Sequence, residues 1–76
     1  MTKIPRVSAK DLIKFLNKRG FIFISQKGSH IKLRKLSPIK QTIIIPNHKI
    51  IRPGTLNNIL KKVGITNQEL IELLRN

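Results

Sequence analysis

Phe21-Ile22-Phe23-Ile24, then Gly28-Ser29, then His30-Ile31-Lys32-Leu33-Arg34 is the stretch on which the fold turns. The first segment is aromatic and β-branched and too short for a helix, which is the composition of a strand. The last alternates polar and apolar residues with period two. One face therefore carries His30, Lys32 and Arg34, and the other carries Ile31 and Leu33. Gly28-Ser29 between the two reads as a turn. Downstream, Ser37-Pro38 opens a second turn, and Gln41-Thr42-Ile43-Ile44-Ile45 gives a third strand closed by Pro46. Connections this short join antiparallel neighbours, so the three strands form a meander.

Outward from this sheet, both flanks are helical. Ser8 stands three residues before Asp11 as an N-cap, and Leu12, Ile13, Phe15 and Leu16 segregate from Lys10, Lys14, Lys18 and Arg19 with a helical period. Gly20 stops this helix, predicted over residues 8–19. Residues 1–7, with Pro5, read as an extended lead-in. After a loop at 46–52 containing His48, Pro53-Gly54-Thr55 starts a helix whose stripe is Leu56, Ile59, Leu60 and Val63, ended by Gly64. Thr66 and Glu69 form a capping box for a last short helix with Leu70, Ile71, Leu73 and Leu74. The fold class is α+β: a two-layer, three-stranded antiparallel sheet packed by helices in the order α-β-β-β-α-α.

The 76 residues suffice for a single domain burying about 60% of the unfolded surface, which leaves no volume for a second lobe or a cofactor fold. The absence of cysteine excludes disulfides, thiol catalysis and thiolate-bound zinc, and it suits a reducing cytoplasm. The longest apolar run, Phe21 to Ile24, is far too short to enter a membrane. Charge is the strongest compositional fact. Sixteen Lys and Arg face only Asp11, Glu69 and Glu72, for a net charge of +13. Self-repulsion on that scale calls for an anionic partner, with nucleic acid first and an acidic protein second.

Three carboxylates, two of them in the last helix, do not furnish a carboxylate pair or an oxygen-ligand metal site, and two histidines make a poor zinc site. No metal and no cofactor is expected. What remains is His30, at the mouth of a strand, with Lys27, Lys32, Arg34 and Lys35 close in sequence. An imidazole held beside fixed cations is what metal-free RNA cleavage needs. The 2′-hydroxyl attacks its adjacent phosphate, imidazole moves a proton, and Lys or Arg stabilises charge on the phosphate oxygens. DNA lacks that internal nucleophile. Two alternatives stay open on these residues: a double-stranded RNA-binding module without catalysis, and a small adaptor whose basic face meets an acidic protein. His48 is either a partner acid or a turn residue.

Four segments taken in order carry a further signal: Ile4-Pro5-Arg6-Val7-Ser8, Gln26-Lys27-Gly28-Ser29-His30, Ile45-Pro46-Asn47-His48, and Gly54-Thr55-Leu56 with Ile59-Leu60 and Gly64-Ile65. In this spacing they resemble the HicA, or YcfA-like, family of toxins, over residues 3 to 74. The resemblance implies a fold like that of double-stranded RNA-binding domains and a ribosome-independent endoribonuclease acting on single-stranded messenger RNA. It also implies a cognate antitoxin of the HicB type, here expected to be acidic to match the toxin's charge. The family's catalytic histidine falls on His30. Lys27, Gly28, Ser29, Lys32 and Arg34 are the expected RNA-contacting residues, with His48 close to the site. Many members follow that histidine with another histidine or an aromatic residue, where this chain has Ile31. Because Ile43, Ile44 and Ile45 span both faces of the sheet, at least one points away from the helices, either as an ordinary exposed isoleucine or as the place where the inhibitor implied by the resemblance docks.

Overall fold

A computed structural model describes residues 6–74; the first five residues of the lead-in expected over 1–7, and residues 75–76, lie outside that range, as do the side chains of Leu73 and Leu74. The element order is α1 (Ala9–Lys18), β1 (Ile22–Lys27), β2 (His30–Lys35), β3 (Gln41–Pro46), α2 (Pro53–Val63) and α3 (Asn67–Leu74). The sheet runs β1-β2-β3 with both neighbouring pairs antiparallel. This is the α+β meander that the sequence predicts.

The helix ends are set by local chemistry. Ser8 caps α1, its Oγ accepting from the Asp11 N–H at 3.0 Å. At the other end Gly20 takes φ +97°, the Gly20 N–H donates to the Asn17 carbonyl, and the Phe21 N–H reaches back to the Leu16 carbonyl. That is a Schellman closure, with the buried Phe21 supplying its hydrophobic contact. Gly64 repeats the arrangement at the end of α2, with φ +74° and the Ile65 N–H on the Leu60 carbonyl. The capping box of α3 is formed in both directions: Glu69 N–H donates to Thr66 Oγ1, and Thr66 N–H donates to Glu69 Oε1.

Alternation sorts the sheet into two faces. Ile31, Leu33, Ile43 and Ile45 are buried under the helices, against Leu12, Leu16, Leu56, Leu60 and Leu70, in one core cluster. Each such side chain contributes about 1.5–3 kcal/mol by leaving water. The opposite face is open, and it carries His30, Lys32 and Arg34 on β2 and Ile44 on β3. The exposed member of the isoleucine run is thus Ile44.

β1 differs from expectation. It starts one residue later than the apolar run and continues through Ser25, Gln26 and Lys27 to the hairpin. Phe21 belongs instead to the helix closure. Every residue of β1 is exposed, including Ile22, Phe23 and Ile24, because it is an edge strand beyond the reach of the helices. The β1–β2 register shifts between Phe23 and Ser25, leaving Ile24 as an extra, bulged residue.

Candidate active site

The hairpin and the sheet register fix the neighbours of His30. Gly28 opens the two-residue β1–β2 loop with φ +59°, the sign a primed hairpin turn requires at its first central position. Gln26 Nε2 donates to the Gly28 carbonyl at 3.1 Å and steadies that loop. The register then places Lys27 directly opposite His30 on one side and Pro46 opposite it on the other. In the next row Ser25, Lys32 and Ile44 are paired in the same way. Facing side chains in an antiparallel sheet lie with Cβ atoms about 4.5–5.5 Å apart, so Lys27 is in immediate reach of the imidazole.

These two rows enclose a shallow concavity of about 550 Å³ lined by Ser25, Lys27, His30, Lys32 and Ile44. A second concavity, of about 420 Å³, adjoins it across His30 and Ile44. Its other walls are Pro46, His48, Arg52 and Thr55. His30 and Ile44 border both, so the histidine stands on the ridge between two hollows. It is exposed, and neither imidazole enters a side-chain hydrogen bond among the described residues. Its ring nitrogens are open to a ligand.

His48 reaches this place through backbone contacts. The Asn47 N–H donates to the Ser29 carbonyl, which ties the loop after β3 to the turn that precedes His30. The His48 N–H donates to the Pro46 carbonyl, and the His48 carbonyl accepts from the Ala9 N–H, the first donor of α1. Ile51 N–H bonds to the Val7 carbonyl, with both side chains buried. The loop at 46–52 is therefore held at both ends, and His48 lines the second hollow as well as a third, formed with Ser8, Lys10, Asn47 and Lys49.

The sequence-predicted residues are not all gathered here. Lys27, Lys32 and His30 share the first hollow, and Gly28 and Ser29 shape the turn above it. Arg34 lies four residues along β2 from His30, about 13 Å away at strand rise. It is half-buried, and its Nε donates to Thr42 Oγ1 at 3.1 Å. It extends the cationic face without lining either hollow. Sequence reasoning missed Arg52 and Thr55. Arg52 sits exposed at the N-cap of α2, and its donor-only guanidinium enters no side-chain hydrogen bond or ion pair among the described residues. The only sequence signal for it was a cation immediately ahead of Pro53, the first residue of the helix.

Among the described residues no group of three metal-binding side chains occurs, and no helix is long and apolar enough to cross a membrane. Chemically, the arrangement offers two imidazoles and three cations around an open ridge, suited to a phosphodiester. A family model described as HicA toxin of bacterial toxin-antitoxin matches residues 9–65. No curated protein and no solved structure matches the chain.

Proposed function

The chain belongs to the HicA toxin family, and from that premise we propose that it is a ribosome-independent endoribonuclease that cuts single-stranded messenger RNA with His30 as the proton-transferring group. Family membership gives the toxin role and an antitoxin partner. The reaction and the residue are our reading. It rests on one observation above the rest: an exposed, unpaired imidazole between two hollows, directly opposite Lys27 and one row from Lys32.

RNA laid over this ridge brings its 2′-hydroxyl beside His30, which accepts the proton as the oxygen attacks phosphorus. Lys27 and Lys32 offset the charge that builds on the non-bridging oxygens. The nucleophile is internal to RNA, so the residues present supply proton transfer and charge without a metal. The partner is a HicB-type antitoxin, and its acidic residues would meet the same cationic face in the cytoplasm. Electrostatics would then raise its association rate and make binding weaken with salt.

The test is incubation of a labelled single-stranded message with the purified protein in the presence of EDTA. The expected result is undiminished cleavage, with a 2′,3′-cyclic phosphate on one fragment and a 5′-hydroxyl on the other. Binding to duplex RNA with no strand breakage would identify a non-catalytic RNA-binding module instead.

A further inference from the structure

We propose that the second hollow is the leaving-group subsite, with His48 the general acid that protonates the departing 5′-oxygen and Arg52 the cation that holds the nucleotide on that side. This inference rests on the endoribonuclease reading and adds a second catalytic residue and a direction for the RNA strand.

In-line displacement places the attacking and leaving oxygens on opposite sides of phosphorus, so one imidazole cannot readily face both. His30 borders both hollows; of the two, His48 borders the one that also contains Arg52 and Thr55, and on its other side it lines a third with Ser8, Lys10 and Lys49. A phosphate seated on the ridge at His30 therefore has a base on one flank and a second proton carrier on the other. The nucleotide bearing the 2′-hydroxyl lies over Ser25, Lys27 and Lys32, and the departing nucleotide lies over Pro46, His48 and Arg52. Ile44, exposed and shared by the two hollows, provides the apolar floor beneath both.

The placement of His48 is built into the fold. Its N–H and its carbonyl are both hydrogen-bonded, to Pro46 and to Ala9, and the adjacent Asn47 N–H is tied to Ser29, the neighbour of His30. The two histidines are thus fixed relative to each other by backbone, while their rings remain free.

The chemistry balances. The 2′-hydroxyl proton passes to His30 as the O2′–P bond forms. The P–O5′ bond then breaks, and the leaving oxygen takes a proton from His48. The products are a cyclic phosphate and a 5′-hydroxyl, and no oxidant, reductant or metal is consumed.

The experiment compares two RNA substrates of one sequence, one natural and one with sulfur in place of the bridging 5′-oxygen at the cleaved bond. A thiolate leaves without protonation, so loss of the acid is harmless on the second substrate. His48→Ala is expected to slow natural RNA at least ~10²-fold, the low end for general acid–base catalysis, and to approach the wild-type rate on the sulfur substrate. His48→Gln, which retains a polar side chain, should behave in the same way. His30→Ala should stay slow on both substrates, and Arg52→Ala should slow both by equal factors. If the wild-type protein cuts natural RNA and His48→Ala cuts it equally well, the acid assignment falls while the nuclease reading stands. If His48→Ala is equally slow on both substrates, His48 has no role in protonation and the proposal falls. Rescue of His30→Ala by sulfur would reverse the two roles and overturn it too. A wild-type protein that cuts neither substrate removes the nuclease reading itself.

Discussion

Three cations border the two hollows around His30, namely Lys27, Lys32 and Arg52, and under the proposed function that count sets the salt dependence of RNA binding. Single-stranded RNA releases about 0.7 counterion per phosphate neutralised, so three contacts give a slope of log K against log[salt] near −2. Raising salt from about 50 to 200 mM then weakens binding roughly twentyfold. Lys32→Ala removes one contact, so the slope should fall to about −1.4 and the loss to roughly sevenfold. If instead the net charge of +13 acted without a defined site, the slope would approach about −9. The assay is fluorescence anisotropy of a labelled single strand titrated with the His30→Ala protein, which is expected to leave the RNA intact, at a series of salt concentrations. Lys14→Ala, on the exposed face of α1, serves as the control that removes one charge outside the hollows. A slope steeper than about −6, or equal effects of Lys14→Ala and Lys32→Ala, would refute a localised site.

Other consequences follow from the frame that holds the site. Gly20→Ala forces a side chain into φ +97° where the added Cβ meets only Lys35 at ordinary contact distance, so the cost is conformational, about 1–2 kcal/mol in chemical denaturation. The Arg19 guanidinium, followed by the Thr66 backbone and hydroxyl, holds the Glu69 carboxyl below its usual range. A carboxylate with a lowered folded-state pKa stabilises the fold above its unfolded value of about 4.3, and the contribution disappears as pH falls through the folded value. Melting curves of Glu69→Gln should therefore show a flatter decline than wild type below about pH 4; an identical acid limb in the two proteins would contradict it.

Most of the fold was legible because local rules agreed with the global arrangement. The alternation over 30–34, Gly20 and Gly64 after apolar stripes, and the Thr66–Glu69 capping box each specify their element without help from distant residues. β1 was less legible. Four consecutive apolar residues carry no period, so nothing in them says that Phe21 closes a helix while Ile22 and Phe23 lie exposed on an edge strand. Half of the site was readable for the same reason: Lys27, His30 and Lys32 are close in sequence and a period-two strand sets their faces. Arg52 and Thr55 were not, because they reach His30 only through the path of the loop at 46–52, which is defined by hydrogen bonds from the Ala9 N–H and to the Val7 and Ser29 carbonyls. Arg34 shows the converse. Sequence proximity placed it beside His30, and the rise of an extended strand carries it away.

The claim on which the rest depends is that His30 performs proton transfer on RNA. Its most direct test is single-turnover cleavage of a labelled single strand by the wild-type protein and by His30→Ala, with RNA affinity measured in parallel. The predicted result is a loss of cleavage of at least ~10²-fold with affinity nearly unchanged, since the cations remain. Cleavage by His30→Ala at the wild-type rate would contradict it.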